Sequence, residues 1–254
     1  MFLKAPDVDL FVSEYGPAGG NTIVAHGGWV GSGELWVQPF EELSKRWRCI
    51  TYDHRGTGAT RHRNGPIRPE MLVDDLFRVL DALKVERCVL AGESAGGVTV
   101  LQAAKRAPER VSGLVLVGAR YQGTLSEGGK RLVAGCKSDF AATMQAFVNA
   151  CIPESDCDAE RAWAYKIVMR SNAEHAAELL EGLGDIDLTG DLDKIRVPTL
   201  LIHGVKDVIR PVSDSEFMHS RIPGSRLVKL EDVGHVPIIT RPSRVAAEID
   251  AFFS

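Results

Sequence analysis

Five short apolar runs set the terms on which this chain can fold. They lie at residues 22–26, 49–52, 88–91, 114–117 and 199–202. Such nearly continuous apolarity suits strands buried on both faces, because a strand with one wet face alternates apolar and polar side chains. Between the runs, residues 35–47, 69–85 and 98–107 carry apolar positions at helical spacing. In the second stretch Leu72, Leu76, Val79, Leu80 and Leu83 form one stripe, with Asp74, Asp75, Arg78 and Asp81 opposite it. Strand alternating with helix implies an α/β chain, with a mostly parallel sheet, right-handed crossovers and helices on both faces.

The rhythm breaks over residues 121–193. That stretch has helical patterning and no convincing strand, and it is too long for a plain loop. It is therefore read as a helical cap, or lid, inserted after the strand that ends at Val117. The sheet pattern resumes at 197–199 and runs through 226–230, and a helix over 243–253 closes the chain. The expected division is a core of residues 1–120 and 194–254 with a cap of 121–193. With 254 residues, such a core needs no disulfide or metal to hold it.

Composition narrows the classes. The net charge of −4 and the absence of a dense Lys/Arg run argue against DNA or RNA as a partner. No apolar run approaches the roughly 18 residues that span a bilayer, so no membrane association is expected. The start of the chain has no basic stretch followed by an apolar one, so a secretory leader is not expected and the cytoplasm is the assigned compartment. Cys49, Cys88, Cys136, Cys151 and Cys157 are odd in number and form no C-x-x-C pair, which disfavours zinc and dithiol chemistry. Cys49 and Cys88 read as buried thiols. A Cys151–Cys157 bridge is conceivable but disfavoured in a reducing compartment.

The run 88–91 leads into Gly92-Glu93-Ser94-Ala95-Gly96, a G-x-S-x-G placed between a predicted strand and a predicted helix. A sharp turn there forces unusual backbone angles on the serine and demands tiny neighbours two residues away. It lifts the hydroxyl above the sheet edge, at the amino end of a helix. A serine nucleophile needs a base within hydrogen-bond reach, oriented by a third group. His235 follows the predicted strand 226–230, and Asp207 follows the strand before it. All three then fall beyond the carboxyl ends of parallel strands, where open α/β sheets bind their ligands. Ser94 is thus the candidate nucleophile, His235 the base and Asp207 the orienting acid.

A tetrahedral intermediate needs preorganised N–H donors. The backbone of Ala95 is one candidate, and Gly28 in His26-Gly27-Gly28-Trp29 is the other, with Trp29 in reserve. His26, His54 and His203 sit beside strand ends and read as structural. His62, His175 and His219 read as surface groups. Asp232 lies too close in sequence to His235 to orient it comfortably.

Four landmarks together resemble the α/β-hydrolase superfamily, in its cap-bearing, small-molecule branch. They are His26-Gly27-Gly28, Asp53-His54-Arg55-Gly56-Thr57-Gly58, the stretch 92–96, and Asp207 with Gly234-His235. The resemblance is nearest to the 3-oxoadipate enol-lactonase, haloperoxidase-like esterase and aminoacrylate-hydrolase-like groups. It implies an eight-stranded, mostly parallel sheet with the cap after the sixth strand, and Ser-Asp-His order for the triad. Two positions depart from the pattern: Glu93 stands where many small members carry His, and Thr240 where relatives often carry Glu. A serine at 94 disfavours the epoxide-hydrolase and dehalogenase branches, which use aspartate.

Within the cap, Phe140, Met144, Phe147, Trp163, Tyr165, Ile167 and Met169 are candidates to line an apolar pocket. Trp29, Arg120 and Tyr121 leave strands near the site. Arg120 is a candidate for a substrate carboxylate or for a salt bridge within the protein, and burial of Glu93 beside the turn would raise its pKa. The expected chemistry is hydrolysis of an ester or lactone of a small to medium, partly apolar molecule through an acyl-enzyme on Ser94, with no metal or organic cofactor. The alternatives are carbon–carbon bond hydrolysis, perhydrolysis or elimination by the same triad, and a ligand receptor on a hydrolase fold. Monomer and homodimer are both left open.

Overall fold

The computed structural model describes residues 1–63, 65–122 and 125–254. Its strands in chain order are β1 (Phe2–Lys4), β2 (Val8–Tyr15), β3 (Thr22–His26), β4 (Arg48–Tyr52), β5 (Arg61–His62), β6 (Cys88–Glu93), β7 (Val111–Val117), β8 (Thr199–Gly204) and β9 (Arg226–Leu230). One sheet runs β1-β2-β4-β3-β6-β7-β8-β9, with β5 paired to β2 beside that path. Every pairing from β4–β3 to β8–β9 is parallel, and those of β2 with β1, β4 and β5 are antiparallel. The five apolar runs are β3, β4, β6, β7 and β8, and every residue of β6 and β8 is buried. The expected eight strands are the eight of the path. The ninth is the two-residue β5, without which the cap segment does follow the sixth strand.

The helices are α1 (Val37–Leu43), α2 (Pro69–Ala82), α3 (Gly96–Arg106), α4 (Glu127–Ser138), α5 (Phe140–Cys151), α6 (Asp158–Val168), α7 (Ala173–Gly182), α8 (Val212–Arg221), α9 (Pro237–Thr240) and α10 (Pro242–Phe253). Pro69 starts α2 where its fixed φ suits the first turn. The stripe Leu72, Leu76, Val79 and Leu80 is buried as its spacing requires. The expected helix over 35–47 is shorter. It enters through a 3-10 turn, Gly33–Trp36, and stops at Leu43, where Ser44 turns its hydroxyl onto the Glu41 carbonyl. On the sheet's faces α2 packs on α3, and α1 on α10.

The loop after β4 is fixed by buried charge. Arg55, 1% exposed, grips Asp75 of α2 in a two-pronged pair at 2.6 and 2.9 Å and also reaches Asp7. Asp53 accepts the Gly33 and Ala59 amides, tying this loop to the 3-10 turn. Such a pair is stable only because each guanidinium prong has a carboxylate oxygen.

Helices α4–α7 lie between β7 and β8 in the chain, with α4 on α5 and α7, and α5 on α6. Gly123 and Thr124, within the segment 121–193, lie outside the described residues. Trp29 ties these helices to the core: its Nε1 donates to the Ala176 carbonyl of α7 at 2.7 Å, and its ring meets Phe147 of α5 edge-on. All five cysteines are buried free thiols, so no bridge joins Cys151 and Cys157. Among the described residues no helix is long and apolar enough to cross a membrane.

Candidate active site

Ser94 occupies the turn between β6 and α3 with φ of +50°, in the left-handed region that side chains avoid. The turn is held from outside. The Ser94 amide donates to the Val117 carbonyl of β7 at 2.9 Å, and its carbonyl accepts from the Arg120 amide at 2.8 Å. Close backbone approach explains both flanking glycines. A Cβ on Gly92 would stand 2.7 Å from the Gly96 carbonyl oxygen, and one on Gly96 would stand 2.3 Å from that of Gly27.

Three strand ends bring the candidate triad together. Ser94 Oγ donates to His235 Nε2 at 2.8 Å, and His235 Nδ1–H donates to Asp207 Oδ2 at 2.6 Å. This pattern fixes the imidazole tautomer with its lone pair toward the serine. Asp207 is fully committed: Oδ1 accepts the Ile209 and Arg210 amides at 2.8 Å each, and Oδ2 also lies 3.1 Å from His203 Nε2. Burial alone would raise the Asp207 pKa. The charge of His235 and these hydrogen bonds outweigh it and hold the carboxyl well below its usual range. For His235 burial works against the charged form, yet the Asp207 carboxylate wins and raises its pKa. Asp232, by contrast, is exposed and pairs with Lys206.

The expected structural histidines are all buried and bonded. His26 Nδ1 meets the Tyr52 hydroxyl at 2.6 Å, and His54 Nε2 donates to the Gly28 carbonyl at 2.9 Å. His203 goes further, since it holds the acid itself. One residue had no sequence signal: Glu154, buried, accepts from the Gly234 amide at 2.9 Å and the Thr240 hydroxyl at 3.0 Å. It pins both sides of the His235 loop from 80 residues away. Thr240, which departs from the family pattern, is therefore a partner of that carboxylate.

Glu93 is buried beside the turn, with Oε1 3.7 Å from His235 Nε2. Burial lifts its pKa to about 7, opposed by the charge of His235 and assisted by that of Asp207. Its carboxylate lies close to the Gly28 backbone: a Cβ built on Gly28 would stand 2.2 Å from Glu93 Oε2. Gly28, the first candidate for an oxyanion donor, and Trp29, the reserve, both wall a recess beside Ser94. The Gly28 carbonyl is held by His54 and Gly31, and a planar trans peptide then turns the Trp29 amide the opposite way.

Ser94 opens onto two spaces. One is a recess of about 40 Å³ walled by Gly28, Trp29, Glu93, Cys151 and His235. The other is a cavity of about 380 Å³ lined by Trp29, Ala95, Arg120, Phe147 and Arg210, among others. A cavity of about 420 Å³ between α3 and residues 188–197 contains no member of the triad. Of the substrate-pocket candidates, Trp29, Arg120 and Phe147 share the space with Ser94, and seven do not, Tyr165, Ile167 and Met169 of the α6 region among them. Tyr121 stacks on Phe217 of α8, Met144 is fully buried, and Phe140 packs against the core. Trp163 lines a separate cleft and donates to Glu34 at 2.7 Å.

A profile of the alpha/beta hydrolase fold matches residues 21–242. The pimeloyl-(acyl-carrier protein) methyl ester esterase of Nitrosomonas europaea is 28% identical over 249 residues, 92% of this chain and 95% of that one. An Azorhizobium caulinodans protein with the name "Putative carbamate hydrolase RutD" is 30% identical over 243 residues, covering 90% of this chain and 89% of its own length. The esterase of Exiguobacterium antarcticum superposes with a TM-score of 0.91 at 25% identity, over 99% of this chain and 98% of that one.

Proposed function

The chain belongs to the alpha/beta hydrolase fold family, and on that premise we propose that it is a serine hydrolase of small to medium, partly apolar esters or lactones. The observation that carries this is the relay Ser94–His235–Asp207, at 2.8 and 2.6 Å, opening into a cavity of about 380 Å³. His235 takes the proton from Ser94 Oγ as that oxygen attacks the substrate carbonyl. Asp207 stabilises the imidazolium so formed. The oxyanion is received by the Ala95 amide and by the Gly28 amide, with the Trp29 amide next to it in reserve. The intermediate collapses, His235 protonates the departing alkoxide, and a water activated by His235 then releases the acyl group. Helices α4–α7 act as the lid, and Trp29 and Phe147 form its apolar wall.

The relative bearing the carbamate hydrolase name gives a second bond to test, since the same acyl transfer cleaves a carbamate. A panel of p-nitrophenyl esters, lactones, carbamates and vinylogous diketones separates the reaction types. Ester or lactone turnover is expected, falling by roughly three orders of magnitude or more in Ser94→Ala. Undiminished turnover in that variant would remove the mechanism. Failure of the folded protein to turn over any ester or lactone would favour a receptor or another bond.

A further inference from the structure

The loop that carries His235 is clamped between two parts of the chain. On one side, just past the end of β8, the Lys206 amide donates to the Val233 carbonyl at 2.9 Å. On the other side stands the joint between α5 and α6. The carbonyl of Cys151, the last residue of α5, accepts the His235 amide at 2.8 Å. Glu154, within the joint, accepts the Gly234 amide at 2.9 Å and the Thr240 hydroxyl at 3.0 Å, both on Oε1. The approach is close enough that a Cβ on Gly234 would stand 2.3 Å from Pro153 Cδ and 2.6 Å from the Cys151 carbonyl oxygen. The joint is itself braced, because Arg161 of α6 donates to the carbonyls of Ile152 at 2.9 Å and Glu154 at 2.6 Å.

We propose that Glu154 is a positioning residue for the base: its carboxylate, reaching across from the α5–α6 joint, fixes the loop that holds His235 Nε2 in line with Ser94 Oγ. This deepens the proposed function and rests on it. The relay tolerates little movement, since hydrogen bonds of 2.6 and 2.8 Å weaken steeply as their angles open. Asp207 has its own anchorage in the Ile209 and Arg210 amides, and Ser94 has its own in the Val117 carbonyl. His235 depends instead on its backbone, where the amides of Gly234 and His235 both lead into the joint. Of those two ties the one to Glu154 is the stronger, because an ionised acceptor roughly doubles the strength of such a bond. Glu154 Oε2 is buried and has no hydrogen-bond partner among the described residues, so the carboxylate directs all its bonding at the two sides of this loop. Around the ring itself, burial lowers the His235 pKa, Asp207 and Glu93 raise it, and Arg210 opposes them. The Cys151 thiol beside it is kept neutral by burial. A released loop would draw the ring away from Asp207, weaken the largest raising influence, and let the pKa of the ring fall.

Two variants at this position test the role. Glu154→Met keeps the volume and removes the acceptor, whereas Glu154→Gln keeps the acceptor and removes the charge. With p-nitrophenyl butyrate, Glu154→Met is expected to lose about tenfold to a hundredfold in kcat while KM changes by less than about twofold. Its acid limb of kcat/KM moves to lower pH. Glu154→Gln is expected to recover most of kcat and to keep the limb where the parent has it. A readout without turnover runs beside these: the pH at which the His235 ring titrates, followed by nuclear magnetic resonance, falls in Glu154→Met and holds in Glu154→Gln. Should Glu154→Met fail to fold, Thr240→Val removes one of the two bonds, and the same measures are expected to move the same way by less. A folded Glu154→Met with the parent's kcat, limb and ring titration overturns the positioning role, as does an unaltered Thr240→Val where that variant has to serve. Equal losses in Glu154→Gln and Glu154→Met also overturn it, because charge would then be the cause. If the parent turns over no ester, the hydrolase reading falls and the ring titration alone decides whether Glu154 sets the base.

Discussion

At the residue scale, burial pushes up the pKa of two carboxylates near His235, and the His235 charge together with hydrogen bonding reverses the direction for one of them. Asp207 meets donors on both oxygens and stays ionised, whereas Glu93 is lifted to about 7. The raised pKa of His235 places the acid limb of kcat/KM above the ordinary value of about 6.5, because the base works only when neutral. In Asp207→Asn the imidazolium loses its stabilising charge. The limb is expected to move to lower pH, and kcat to fall by roughly a thousandfold or more. An unchanged limb in pH-rate profiles of that variant would contradict the assignment. Glu93 makes a stability prediction. Its folded pKa stands above the ordinary 4.5, so the folded state holds the proton more tightly. The stability from that group is full below about pH 4.5 and is lost as pH rises through about 7. Glu93→Gln is expected to exceed the parent by about 2 kcal/mol at pH 8 in denaturant midpoints, with the gap closing by pH 5. Ser94, Asp207 and His235 were legible because each sits where a strand pattern ends. Glu154 was not, because its two bonds join segments distant in sequence.

At the element scale, strands buried on both faces read directly from sequence, since no polar alternation interrupts them. β2 was missed because it is near the sheet edge, where half-wet positions at Phe11 and Ser13 break the apolar run. The 35–47 helix was overextended because Leu43 and Trp47 are both buried, yet the chain between them turns rather than winds. The joint between the β4 loop and α2 depends on Arg55 and Asp75. Asp75→Ala would leave a buried guanidinium short of its main partner and is expected to cost about 3–5 kcal/mol, measured by urea unfolding. A loss below about 1 kcal/mol would show that the pair does not fasten these elements.

At the scale of the whole molecule, the sheet and its helix layers present a serine, an acid and a base from three strand ends, with Ser94 and His235 141 residues apart in sequence. That arrangement follows from parallel topology and was legible in the order of motifs. The pocket was not. Trp29 and Phe147 reach Ser94's cavity while Met144 and Trp163 do not, because the docking of α4–α7 decides it, and helical periodicity fixes a face but not its neighbour. The central claim is that Ser94, and no other residue, is the nucleophile. Treating the folded protein with a fluorophosphonate and mapping the adduct by peptide mass tests it most directly. One adduct per chain is expected, on Ser94, absent in Ser94→Ala and slowed in His235→Ala. An adduct elsewhere, or none from a folded protein that still hydrolyses esters, would contradict the account.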